Sequence, residues 1–125
     1  MLTLGTNDQV SPLFFFRGEG FAAEMNVGSS GDCVVRKGSV ARVRTTPTLP
    51  KGTIALRAML VEKGVLVQEG DSLRFTSHYS FASPTALAAA VVGASANGRV
   101  TWRLEDGRTY ADWEAEQNAP SSANP

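Results

Sequence analysis

The residues able to do chemistry in this chain are few and scattered. His78 is its single histidine and Cys33 its single cysteine. Ser77 precedes His78 directly, and such a pair would serve as nucleophile and base only if the two side chains converged. Neighbours on an extended strand point to opposite faces, so adjacency keeps them apart. His78 is expected as a partly exposed polar residue of a loop. A lone thiol forms no internal disulfide, and with one imidazole beside it no zinc ligand set assembles. Gly18-Glu19-Gly20 and Gly28-Ser29-Ser30-Gly31 are rich in glycine, yet neither leads into Gly-Lys-Ser/Thr or carries the dinucleotide spacing, so both read as turns. Glu114 and Glu116 stand two apart on an expected helix and splay to different sides, which is wrong for paired acid and base work. No catalytic set, metal or cofactor is expected.

Binding is better represented than catalysis. Between Gly31 and Lys63 lie Arg36, Lys37, Arg42, Arg44, Lys51, Arg57 and Lys63 against Asp32 and Glu62, a local charge of +5. The last 25 residues carry Arg103 and Arg108 against Glu105, Asp106, Asp112, Glu114 and Glu116, a local −3. The chain as a whole has 12 basic and 12 acidic residues, so any electrostatic attraction is local. A basic strand pair with Arg36, Lys37, Arg42 and Arg44 could follow phosphates, or it could be an ordinary solvated sheet face. Ser83 before Pro84 marks a helix start whose free N–H groups and dipole suit an anion, although a plain N-cap is the commoner use of that pair. Asn97, Arg99 and Trp102 follow, and the order Ser-Pro, small-residue helix, Asn-Gly, Trp carries a resemblance to a known module that implies a place for them near a bound base. This reading requires the basic strands and the Ser83 helix start to share one open surface.

The elements that must position these residues form one α+β domain. A length of 125 residues and 42% hydrophobic content suffice for a single core. Residues 1–12 are expected as an N-terminal extension, 13–117 as the domain, and 118–125 as a disordered tail of small polar residues. From Leu13 to Arg44 an antiparallel β-meander is expected, with runs at Leu13–Phe16, Phe21–Val27, Cys33–Arg36 and Val40–Val43. Three consecutive aromatics, Phe14 to Phe16, cannot all face one core, which leaves an apolar edge suited to a protein partner or a homodimer.

Thr45 to Gly52, with Pro47 and Pro50, breaks all periodicity and reads as a connector. Beyond it short helices alternate with strands. Leu56, Met59, Leu60 and Lys63 take helical spacing, with Thr53 as N-cap and Gly64 as stop. Leu73–Thr76 alternates as a strand. Ser83, Pro84 and Gly93 bound an alanine-rich helix. Asn97-Gly98 reads as a turn, Val100–Leu104 as a strand, and Thr109 with Asp112 as a capping box opening a last helix, roughly Tyr110 to Gln117. Tyr110 and Trp113 share one side of that helix and are expected in the core. No apolar run is long enough to span a bilayer, and Met1–Val10 lacks the basic start and apolar stretch of a secretory signal, so a cytoplasmic protein is expected.

The run Phe75-Thr76-Ser77-His78-Tyr79-Ser80-Phe81-Ala82-Ser83-Pro84-Thr85-Ala86-Leu87, continuing through the small-residue helix to Gly93, then Ser95-Ala96-Asn97-Gly98 and Trp102, resembles a known bacterial module. That module is the C-terminal domain of unknown function found behind GIY-YIG nuclease modules. Cys33 to Arg42 and Leu60 to Leu66 are also similar to it, and the likeness runs from about Phe14 to Tyr110. The order Ser-Pro, small-residue helix, Asn-Gly, Trp is similar to the RAMA domain, the restriction enzyme adenine methylase associated domain. The resemblance implies an accessory module that contacts nucleic acid, modified DNA included, or that partners a separate nuclease or methylase. The family usually has Ser at the position of Thr85 and an aromatic at that of Arg99, so here a cation replaces a ring beside Asn97-Gly98. The sequence contains no Gly-Ile-Tyr or Tyr-Ile-Gly triplet, and hydrolytic activity is not expected to come with the likeness.

Overall fold

A computed structural model describes residues 11–118. The expected extension and tail therefore lie outside the described residues, apart from Ser11, Pro12 and Asn118. Ser11 belongs to the domain: its N–H donates to Val27 O, and its hydroxyl accepts from the Val27 N–H at 2.7 Å.

The alternating apolar runs of the first half form the predicted meander. Strands β1 (Phe14–Gly18) and β2 (Phe21–Val27) make a hairpin about Glu19-Gly20, with Phe14 opposite Met25 and Gly18 opposite Phe21. The other edge of β2 carries β3 (Cys33–Val35) and then β4 (Val40–Arg42). Strands β5 (Leu66–Glu69), β6 (Ser72–Phe75) and β7 (Tyr79–Phe81) complete a seven-stranded antiparallel sheet. β3 pairs β7 and β4 pairs β6, and one register runs unchanged from Cys33↔Phe81 to Arg42↔Ser72. Each partner is thus a single long strand interrupted once, at 36–39 and at 76–78. Against β2 the register slips instead, from Met25↔Val35 to Ala22↔Val40, which is the signature of extra residues bulged out of one strand. His78 sits in its break with Nδ1 accepting the Lys37 N–H at 2.9 Å.

Alternation decides what each face of the sheet meets. Phe14, Ala23, Met25, Val27, Cys33, Val35, Ala41, Leu73, Phe75 and Phe81 are buried and face the helices. The helices are α1 (Lys51–Glu62), α2 (Pro84–Val92), α3 (Gly98–Thr101) and α4 (Tyr110–Asn118). The alanine-rich α2 lies directly on β2, β3, β4 and β7, because its small side chains permit close approach. Phe14 stands between Tyr110 and Trp113 of α4, so β1 contributes to the same core. The aromatic triplet divides as strand geometry requires: Phe14 and Phe16 pack inward, and Phe15 lies on the opposite face under the Arg17 guanidinium, 4.5 Å from its ring centre.

Two expectations of local structure are corrected. α1 begins at Lys51, not after Thr53, because Pro50 supplies the extended N-cap at φ −60° and its carbonyl accepts from Thr53 and Ile54. Val100–Leu104 is not a strand. Asn97 caps the single turn α3 by accepting the Arg99 N–H, and only Arg103 keeps extended pairing, bridging Phe15 and Thr109. Cap chemistry and the seating of Gly98 override the β preference of Val100 and Thr101. Strand β7 was not expected, since its three residues are too few to show a period. The Ser83 cap, the Gly93 stop and the Thr109–Asp112 capping box form as expected.

Candidate functional site

The face of the sheet that no described helix covers is where the strand cations gather. Alternation places Arg17, Arg36, Arg42 and Arg74 among its positions, with Glu24 and Glu69 as the acidic ones. Arg74 is bound by Glu69 at 2.8 Å, which raises the arginine's affinity for its proton and lowers that of the carboxylate. Arg17 lies over Phe15, while Arg36 donates to the buried Asn26 side chain at 3.1 Å. Neither forms an ion pair among the described residues, so each keeps N–H groups for an outside anion. Lys37 is exposed at the strand break beside Arg36, and partial burial, followed by the charges of Arg36 and Lys37, holds the His78 imidazole below its ordinary pKa.

Arg42, at the margin of this face, and the basic residues beyond it have different tasks. Arg42 sits at the end of β4, its Nε donating to Glu19 O at 2.8 Å and its guanidinium 4.9 Å from the Phe21 ring centre. Arg44 is exposed. Arg57, counted in the basic segment on sequence, is only 7% exposed and binds carbonyls: Ala90 O at 2.8 Å, Val43 O at 3.2 Å and Arg42 O. It closes the C-terminal end of α2, where a cation is favoured, and is removed from any ligand. Its burial lowers its pKa from the ordinary arginine value.

The second half of the expected site separates from the first. β7 runs from Tyr79, opposite Val35, to Phe81, opposite Cys33, so Ser83 lies beyond the far end of β3 from Arg36 and Lys37. The extended chain from His78 to Ser83 spans roughly 16 Å. The start of α2 is also closed. Ser83 Oγ accepts the Ala86 N–H, Thr85 Oγ1 accepts the Gly98 N–H, and Trp102 Nε1 donates to Pro84 O at 3.0 Å. Gly98 packs so tightly that a Cβ there would overlap the Pro84 carbonyl and the Thr85 nitrogen. Nearby, Asp32 lines an open hollow of about 380 Å³ with Ser30, Ser80 and Ala82, its pKa lowered by hydrogen bonds from Ser30 and Ser80. A carboxylate there repels phosphate.

Trp102 is wholly buried, against Phe16 and under α2, so it offers no ring to a base. Asn97 is spent on capping α3, and Arg99 is paired with Glu114. The structure thus places Ser83, Asn97, Arg99 and Trp102 apart from Arg36 and Lys37: Ser83 caps α2, Asn97 caps α3, Trp102 ties α3 to the start of α2, and Arg99 ties α3 to α4. Sequence reasoning missed Arg17 and Arg74, whose alternate spacing within their strands, Phe15/Arg17 and Ser72/Arg74, was the available signal. Among the described residues no three His, Cys, Asp or Glu side chains gather as a metal site would need, and no helix is long and apolar enough to cross a membrane.

Fold and site together define a small α+β domain, a helix-backed antiparallel sheet with one arginine-bearing face that no described helix covers. The chain belongs to the family described as a domain of unknown function, DUF4357, whose model matches residues 14–114. No curated protein and no solved structure matches it.

Proposed function

We propose that this domain is a non-catalytic cytoplasmic module that contacts the phosphates of DNA or another nucleic acid through the open face of its sheet, in the service of a nuclease or methylase. The observation that carries this reading is the helix-free face on which Arg17 and Arg36, with Lys37 at its margin, stand without carboxylate partners among the described residues. Phosphate contacts of this kind position a protein on a strand without reading sequence. With about three phosphates neutralised, log affinity falls with log salt at a slope near −3. Fluorescence anisotropy against duplex DNA over a salt series measures that slope, and absence of binding at low salt ends the proposal. A parallel titration with adenine-methylated duplex tests the likeness to modified-DNA readers. Since Trp102 is in the core, equal affinity for both duplexes is expected.

A specific observation favours a second reading, a domain that dimerises or docks on a protein. Ile54 and Val61 of α1 and Val67 of the edge strand β5 are exposed, at 51%, 46% and 38%. Light scattering after size exclusion separates the two: a concentration-dependent dimer without nucleic-acid binding supports the second.

A further inference from the structure

The end of the sheet away from Asp32 holds a cleft of about 520 Å³, lined by Glu19, Gly20, Arg42, Val43, Arg44, Thr46, Asp71 and Val92. That volume is in the usual range for small-molecule sites. Its wall is fixed from behind at several points. Thr46 N–H donates to Gly93 O at 2.8 Å, and Val43 N–H to Asp71 O at 3.4 Å. Arg57 holds the carbonyls of Arg42 and Val43 from the interior. Gly93, at φ +75°, leaves no room for a Cβ against Arg44 O. The backbone that carries Arg42 and Arg44 is therefore pre-set, and one of the two guanidinium groups is held in place by Glu19 O and the Phe21 ring.

The cleft brings unpaired charges of both signs together. Arg74, Arg99 and Arg108 each pair with a neighbouring carboxylate. Arg42 and Arg44 share their cleft with Glu19 and Asp71 yet pair with neither. Arg57, also without a carboxylate among the described residues, adds a third positive charge behind the wall. Two arginines lining one cleft match a phosphate oxygen set, and carboxylates without a cation partner match a ligand that also carries O–H or N–H donors.

We propose that this cleft binds a nucleoside phosphate monoester, with the phosphate on Arg42 and Arg44 and the hydroxyl or amino donors of the nucleoside at Glu19 and Asp71. The source is a free mononucleotide or the phosphorylated end of a strand. The inference goes beyond the sheet-face reading, because it requires no duplex and stands if duplex binding fails.

Two-dimensional amide NMR of the full chain, titrated with adenosine and guanosine monophosphates, tests it. Shifts are expected at Gly20, at the amides of 42–46 and at Asp71, with none from the parent nucleosides. Arg44→Ala should weaken binding about tenfold, the effect of losing one charge-assisted contact, with an unchanged urea midpoint. Arg44→Lys should recover part of it. A short single strand bearing a 5′-phosphate, compared with its 5′-hydroxyl counterpart, separates the sources: about tenfold tighter binding of the former assigns the cleft to strand ends, and equal binding assigns it to free nucleotide. Absence of shifts at millimolar nucleotide, or shifts confined to residues around Arg17 and Arg36, overturns the proposal. Equal binding of inorganic phosphate overturns the part assigned to the nucleoside.

Discussion

Arg57 shows how much a single side chain can decide in a small domain. It enters the interior as a cation and is compensated by three carbonyls from β4, the segment after it, and α2. Replacing it with Met keeps the apolar stem but leaves those acceptors without their donor, and each hydrogen bond to a charged group contributes about 1.5–3 kcal/mol. Arg57→Met is expected to lower stability by about 3 kcal/mol, read as a fall in the urea midpoint at constant slope. Its position was legible in outline, since Arg57 lies three residues before Leu60 and so shares the core side of the helix, but charge counting obscured it. Cys33 is the complementary case. Burial, with the negative charge of Asp32 next, pushes its thiol up to about 12, and it is fully enclosed. A disulfide-exchange reagent should leave the native protein unmodified and react only at the rate of unfolding. Fast labelling of the folded chain would show that β3 opens locally.

At the scale of elements, the two interrupted strands are joined where they break, by His78 and the Lys37 amide. That bond needs a neutral imidazole with the proton on Nε2. The pKa of His78 is held down in the folded state, so the unfolded chain takes up a proton first as pH falls. The contribution is complete above the unfolded value of about 6.5 and is lost as pH drops through the lower folded value. Unfolding midpoints measured from pH 7.5 down to 5.5 should decline for the natural chain and decline less for His78→Asn. A titration of the imidazole by NMR should give a pKa below that of an unfolded peptide.

Elements whose limits depend on local chemistry were readable in the residues: Ser83-Pro84 and Gly93 bound α2, and Thr109 with Asp112 opens α4. Those whose state depends on distant contacts were not. Val100–Leu104 has strand-like composition, but Gly98 is seated against Pro84 from across the fold. β7 is visible only through its partner β3.

Across the whole molecule, the cations and carboxylates are sorted but not matched. In the acidic C-terminal region Arg99 pairs with Glu114 and Arg108 with both Asp106 and Glu116, while Glu105 and Asp112 form no ion pair among the described residues. The open sheet face retains Arg17 and Arg36, and the cleft at the sheet's end Arg42 and Arg44, without carboxylate partners among the described residues. Exposed pairs contribute little to stability, so exchanging these charges should change binding and leave the fold intact. Arg17→Ala is expected to reduce the magnitude of the salt slope for duplex DNA by about one, while Arg108→Ala leaves it unchanged. Anisotropy titrations of both variants at matched ionic strength check the difference. The candidate site was thus half legible: strand arginines declare themselves by type, but whether a tryptophan faces solvent is settled only by what closes over it, here α2 and Phe16.

The unchanged register through both interruptions has a consequence for how this chain tolerates length changes. Because Cys33–Arg42 and Ser72–Phe81 stay in step past the gaps, removal of one residue from 36–39 would invert Val40, Ala41 and Arg42 about the sheet plane. Ala41 would be turned outward and a guanidinium driven beneath α2. Only a matching deletion at 76–78 would restore the alignment with that neighbour, and the slip against β2 would still have to be made good. A matched loss of one residue from each loop would keep that register but turn Leu73 and Phe75 outward along with Ala41, so length changes are expected to be tolerated only when both loops change together by two residues, like the teeth of two meshed combs.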